Sequence, residues 1–469
     1  SAWAAFGTAH MGIVSDTHRE YFCGSRGGIG VDSIPRIYYN EMDRCCGNIG
    51  KEKGNDMKRE KKRWLQAGIL FAAFAVCIAI WGMNRGKTEE PRDTESAGQT
   101  EANREMPAEL DKSLYMDETK SIKDRVDSLL SQMTTEEKVA QMIQPEQSAI
   151  SYSEIAKYGI GSVLSGGGSA PAGGNTAQDW QTHINRMKQS ALESRLGIPL
   201  LYGVDAVHGH NNVYGATIYP HNIGLGSAND TDLMRRIGEA VAEEVRATGI
   251  QWTFAPTLGN ARNELWGRTY ECFGEEADLA ASLGGAFITG LQGEKGGEEY
   301  LDLTRVLATA KHYIGEGYTL GGINQGDVVM PDEEFETLLR EELLTPYKEA
   351  IEAGVRTVMV SFSGVNGLKC HEDQYLITDV LKGDLGFTGF VISDYNGVQQ
   401  VTGDNYKEKI ANGINAGIDL FMEPNSWREF MTETLSLIEE GTVSMERIDD
   451  AVGRILRVKF EAGLFEEEI

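Results

Sequence analysis

The sequence is short of positive charge, of long apolar runs and of cysteine, and each shortage excludes something. Among 469 residues, 44 Lys and Arg stand against 71 Asp and Glu, a formal net charge of −27. Such a surplus of negative charge repels polyanions, which argues against nucleic acid as the main partner and for a neutral or cationic ligand. Hydrophobic content of 41% with 25% charged residues is ordinary for a folded chain and excludes global disorder or a polytopic membrane protein. One uncharged apolar run, Trp64 to Met83, is long enough to cross a bilayer. Only Cys272 and Cys370 lie beyond it, too few and too far apart for a disulfide framework. No G-x-G-x-x-G stands between a strand and a helix, Gly166-Gly167-Gly168 lacks the lysine of a phosphate loop, and neither H-E-x-x-H nor paired C-x-x-C occurs. No cofactor or metal is therefore expected; Asp205, His208, His210 and His221 are the residues from which a metal set would have to be drawn.

The charge is uneven along the chain. Residues 1–87 hold 13 basic and 8 acidic residues, whereas 88–469 carry a net charge of −32. Lys58, Arg59, Lys61, Lys62 and Arg63 precede the apolar run, so the positive-inside rule puts the N-terminus in the cytoplasm. The expectation is a basic flank and transmembrane signal anchor over residues 57–87, holding an extracytoplasmic catalytic domain at the membrane. Secretion after signal cleavage is the alternative, since Met57 opens a basic and then apolar stretch, although no A-x-A site follows it. Residues 1–56 read as a disordered tail and 88–110 as a flexible, disordered stalk.

From residue 111 short apolar runs alternate with amphipathic stretches, as in a parallel sheet wrapped by helices. Eight candidate strands run Val139–Ile143, Ile160–Leu164, Pro199–Val204, Gln251–Ala255, Val306–Ala310, Thr357–Ser361, Phe390–Ser393 and Ile418–Met422. Helices are expected over Asp232–Thr248, capped by Asp230 or Thr231, and over Asp332–Ala353. Length alone would allow about three domains, but eight strands favour one α/β domain, a TIM-type (β/α)8 barrel over 111–469.

Polar residues follow the strands: Asp205 the third, Lys311-His312 the fifth, Asp394 the seventh and Glu423 the eighth. Side chains at several strand exits of a barrel converge on one mouth. Asp394, directly after an apolar strand, reads either as a helix N-cap or as a nucleophile. Lys311-His312 is either a solvated rim or a pair that binds sugar hydroxyls or carboxylates. Arg268, among aromatic residues, either orients a polar ligand or makes a structural ion pair.

The motifs Leu201-Tyr-Gly-Val-Asp-Ala-Val-His-Gly-His, Phe254-Ala-Pro, Trp266-Gly-Arg-Thr-Tyr-Glu, Lys311-His-Tyr-Ile-Gly-Glu-Gly and Val391-Ile-Ser-Asp, in this order, resemble glycoside hydrolase family 3. The resemblance spans about residues 115–465 and is nearest the β-glucosidase and exo-β-glucanase branch. It implies that Asp394 is the nucleophile of a retaining hydrolase acting on terminal β-linked glucosyl residues of β-glucosides or β-glucans. Asp205, Arg268, Lys311 and His312 match residues that bind sugar hydroxyls next to the nucleophile. Tyr395 stands where a tryptophan is usual and keeps an aromatic platform for the sugar face. Phe362 stands where relatives often carry a tyrosine that contacts the nucleophile.

The resemblance also implies that a second, C-terminal α/β domain contributes the glutamate acid/base in β-glucosidase relatives, and the sequence ends where the linker to that domain would begin. Hexosaminidase relatives use Asp-Ser-His instead, and the comparable stretch here is Gly322-Ile323-Asn324. Glu316 and Glu423 are the carboxylates nearest the mouth motifs, and neither is favoured as a substitute. A catalytically silent carbohydrate-binding barrel is the competing reading. Glucose against xylose preference, linkage and oligomeric state stay open at this level.

Overall fold

A computed structural model describes residues 110–469. The tail, the apolar run Trp64 to Met83 and nearly all of the stalk lie outside the described residues. The expected membrane-anchored, extracytoplasmic placement is corrected: among the described residues no helix is long and apolar enough to cross a membrane, and nothing in the structure supports anchoring.

Eight short parallel strands form the core: β1 Ile143–Gln144, β2 Ser162–Ser165, β3 Leu201–Val204, β4 Trp252–Thr253, β5 Thr309–Tyr313, β6 Thr357–Val360, β7 Phe390–Ile392 and β8 Phe421–Met422. Ladders join β2 to β3, β3 to β4, β5 to β6 and β6 to β7. Single parallel bridges complete the neighbours: Glu146 with Leu164, Trp252 with Leu307, Thr257 with Lys311, and Ile392 with Leu420. The ring closes where Ile143 and Gln144 of β1 pair with Phe421 and Met422 of β8. Closure removes every free edge from the barrel, and all eight exits face one end. A small sheet of Asp327–Val328, Gly364–Val365 and Leu368–Lys369 sits on the loops after β5 and β6.

All eight expected strands recur with shifted bounds. Val139 belongs to the helix Thr135–Gln141, because Thr134 and Glu137 form a reciprocal capping box that commits the segment to helix. The fifth strand begins later, so Lys311 and His312 lie within it. The expected helix Asp332–Ala353 is broken: Asp332–Leu338 passes into a wide turn in which the Leu344 N–H reaches the Leu339 carbonyl, and Thr345–Glu352 follows. Pro346 in the first turn of that last segment lacks an N–H and so cannot continue the regular ladder.

The helix Thr231–Ala247 starts where Asp230 Oδ1 accepts the Leu233 N–H at 2.9 Å. It buries Met234, Ile237, Val241 and Val245 along one face, the stripe that a period of 3.6 predicts. It meets the helix Ala277–Gln292 at Gly238 and Gly290, where an added Cβ on Gly290 would stand 2.1 Å from the Arg235 carbonyl oxygen. At the end opposite the mouth, Lys459 of the closing helix Met445–Glu461 donates to Gln141 Oε1 and to the carbonyls of Gly161 and Pro199, each at 2.8 Å.

Candidate active site

The strand exits bring Asp205, Lys311, His312 and Asp394 together, and the loop after β4 adds Arg268. Lys311 Nζ donates to Asp205 Oδ1 at 3.2 Å, linking the exits of β3 and β5. Arg268 donates from Nε and Nη2 to the two oxygens of Glu271, at 2.7 and 2.8 Å, and its Nη2 lies 3.1 Å from His312 Nε2. Behind His312, Glu316 is buried, with Oε2 2.8 Å from His312 Nδ1 and Oε1 accepting the His312 N–H at 3.1 Å. His312 Nε2 stands 3.7 Å from Asp394 Oδ2.

Asp394 is buried two residues beyond β7. Its Oδ1 accepts the Tyr395 N–H at 2.6 Å, while Oδ2 has no hydrogen-bond partner among the described residues. It caps no helix: the next helical turn, Gly397–Gln400, has Asn396 at its N-cap and no side-chain cap. Burial pushes the Asp394 carboxyl above the ordinary aspartate range, and His312, Arg268, the Tyr395 N–H and Lys311 pull against it. Burial alone would also raise Glu271, but the Arg268 fork outweighs it and holds that carboxyl down at about 2. Burial disfavours the Arg268 cation, yet Glu271, Glu316 and Asp394 more than offset this and raise it.

Tyr395 is 39% exposed, and its ring edge packs over Gly166 in the loop after β2. A groove of about 1000 Å³ lies beyond that loop, between Gln147, Tyr152, Pro171 and His183. Neither Asp394 nor Asp205, Arg268, Lys311 or His312 lines it.

The histidines of the third strand exit do not converge. His210 is buried with Nε2 3.0 Å from Thr248 Oγ1, and burial lowers it to about 4. His208 packs against His221 with ring centroids 4.1 Å apart and planes tilted by 36°. Among the described residues no group of three or more His, Cys, Asp or Glu is placed to hold a metal ion. Cys272 and Cys370 are both free and buried. Glu423, whose carboxyl burial raises, bonds Ser426 at 2.7 Å.

Glu271 and His371 escape sequence reasoning, and Glu316 was noted there only as a carboxylate near the mouth. Glu271 and Glu316 had a signal, since they stand three and four residues after Arg268 and His312, the spacing of a local ion pair. His371 had none. It lies 23 residues before Asp394 and accepts that residue's backbone N–H at Nε2, 3.0 Å away.

A sequence model described as the glycosyl hydrolase family 3 N-terminal domain matches residues 134–458. A lysosomal β-glucosidase of Dictyostelium discoideum is 33% identical over 368 residues, covering 72% of this chain and 44% of the relative. A β-xylosidase of Formosa agariphila is 31% identical over 424 residues, covering 87% and 47%. Among solved structures, the exo-1,3/1,4-β-glucanase of a Pseudoalteromonas species superposes with a TM-score of 0.70 at 43% identity, covering 74% of this chain and 43% of that one. The chain thus spans about half the length of the curated relatives it matches.

Proposed function

Because the chain belongs to glycosyl hydrolase family 3, we propose that residues 111–469 form the barrel domain of a retaining exo-hydrolase that removes terminal β-linked glucosyl residues from β-glucosides or β-glucans. The observation that carries this reading is Asp394: a carboxylate at a strand exit, with one oxygen held by a backbone N–H and the other unpartnered, faced by Arg268, Lys311 and His312.

In the proposed reaction Oδ2 attacks the anomeric carbon, the glycosidic C–O bond breaks, and the aglycone oxygen leaves with the bonding pair and takes a proton from an acid/base carboxyl. Water then attacks the glycosyl ester, loses its proton to the same acid/base, and returns Asp394 as carboxylate with the configuration retained. Asp205, Arg268, Lys311 and His312 bind the ring hydroxyls. Positive groups in a buried mouth keep the carboxylate ionised against its desolvation. Tyr395 offers the sugar an aromatic face.

Asp205, Glu271 and Glu316 are engaged by Lys311, Arg268 and His312 respectively. The resemblance to β-glucosidase relatives implies an acid/base glutamate on a second α/β domain, and that domain is its proposed source here. A fluorinated aryl β-glucoside tests the reading: the native protein gains one glycosyl group, located on Asp394 by peptide mapping, and Asp394→Asn gains none. Labelling of Asp394→Asn, or no labelling of either protein, rejects it.

A further inference from the structure

We infer that His371 positions the nucleophile: its Nε2 holds the Asp394 N–H at 3.0 Å and fixes the backbone from which the reactive carboxylate projects. The inference rests on Asp394 being the nucleophile. His371 reaches it from a separate segment, the short turn Cys370–Glu372, so the constraint is independent of β7 and its own exit loop.

The bond defines the state of the ring. An Nε2 that accepts an N–H carries a lone pair, so the ring is neutral with its proton on Nδ1. Burial agrees, since His371 is almost wholly enclosed and burial lowers it to about 3 against a backbone hydrogen bond with Ser361 that pulls the other way. A neutral acceptor suits the task. It satisfies a buried N–H, which is costly to leave unpaired, without placing another cation against the carboxylate.

The imidazole is also gripped. Phe362 stacks on one face at 6.1 Å between centroids and 26° between planes. The chain also folds back after Asp394: Asn396 takes φ 54°, the Asp394 carbonyl accepts the Gly397 N–H at 2.8 Å, and Gly397 comes to rest against the ring at Nε2. A Cβ on Gly397 would stand 2.2 Å from His371 Nε2, its closest approach to any atom. Gly397 is not among the residues at positive φ. Its backbone would accept alanine, so what excludes a side chain there is the imidazole.

The test uses dinitrophenyl 2-deoxy-2-fluoro-β-glucoside as trapping probe and gluconolactone as binding probe. His371→Leu and Gly397→Ala should each slow labelling of Asp394 by about 10- to 100-fold, the scale of a slightly misplaced reacting group. Gluconolactone affinity should stay within about twofold, because the hydroxyl-binding residues are untouched, and a merely structural defect would move both. His371→Asn, whose amide oxygen can accept, should recover part of the rate. In a His371→Ala background, Gly397→Ala should cost nothing further, since its methyl no longer meets a ring. Native-like labelling of Gly397→Ala or His371→Leu overturns the inference, as does an equal Gly397→Ala penalty with and without the imidazole. Should His371→Leu fail to fold, the Gly397→Ala pair still decides. Absence of labelling in the native protein removes the nucleophile assignment and this inference with it, and is read separately from the variants.

Discussion

His312 Nε2 stands 3.7 Å from Asp394 Oδ2, beyond hydrogen-bond range, and within 3.1 Å of Arg268 Nη2. The imidazole is thus near enough to act on the carboxylate through its field and too far to occupy the oxygen proposed to attack. Glu316 lies behind the ring, with Oε2 2.8 Å from Nδ1 and Oε1 accepting the backbone N–H.

Glu316→Gln, which removes the carboxylate charge 2.8 Å from Nδ1, should lower kcat/KM for aryl β-glucosides by about tenfold, equivalent to about 1.4 kcal/mol. Steady-state kinetics reads it directly, and unchanged kcat/KM would mean that His312 needs no orienting partner.

The Arg268–Glu271 pair predicts a pH effect. Glu271 falls from an ordinary 4.5 to about 2 on folding, so its stabilisation is fully present above pH 4.5 and is lost as pH falls toward 2. The ceiling is about 3 kcal/mol. Urea unfolding of Glu271→Gln at a series of pH values should show lower stability at neutral pH and a shallower fall on acidification; an acid limb parallel to that of the native protein would refute the assignment.

Lys459 predicts a slope of the same sign in an alkaline window. Burial lowers its ammonium from 10.5 to about 7, so between these values the unfolded chain holds the proton that the folded one has released, and this group's contribution to stability rises with pH. Below pH 7 both states are charged and the burial cost is fully present. Three acceptors at 2.8 Å match the three N–H bonds of the ammonium. Lys459→Met strands all three and should destabilise by about 2–4 kcal/mol at neutral pH, while flattening the rise between pH 7 and 10. A gain of stability in denaturant melts would show that the acceptors find other partners.

If the acid/base lies outside the described residues, residues 111–469 should turn over dinitrophenyl glucosides measurably and cellobiose hardly at all, since only the former aglycone departs without protonation. The rate should fall steeply as leaving-group pKa rises. Efficient cellobiose cleavage would place an acid within the described barrel.

The sequence carried the barrel strands because each is an apolar run bounded by turns, and the mouth because polar residues follow the third, fifth, seventh and eighth runs. It misplaced Val139 because an apolar run does not by itself distinguish a strand from the end of a capped helix; the capping box at Thr134 held the missing information. Arg268, Lys311 and His312 were legible as charges in unusual places. Of their partners, Glu271 was visible only as spacing and Glu316 only as a carboxylate near the mouth. His371 was illegible, since a contact formed by chain segments 23 residues apart around Gly397 leaves no local pattern. The membrane expectation came from composition outside the described residues, and no described helix supports it.

The pairing of Ile143 with Phe421 sets an order on synthesis. A ribosome delivers the chain from its N-terminus, so β1 emerges about 280 residues before the strand that closes against it. Throughout that interval one flank of β1 offers unpaired N–H and carbonyl groups and apolar surface, a template for strands of other nascent chains. Shortening the gene from its 3′ end should therefore show a threshold in yield: products ending before Phe421 collect in inclusion bodies, and solubility returns only once β8 and the closing helix are encoded.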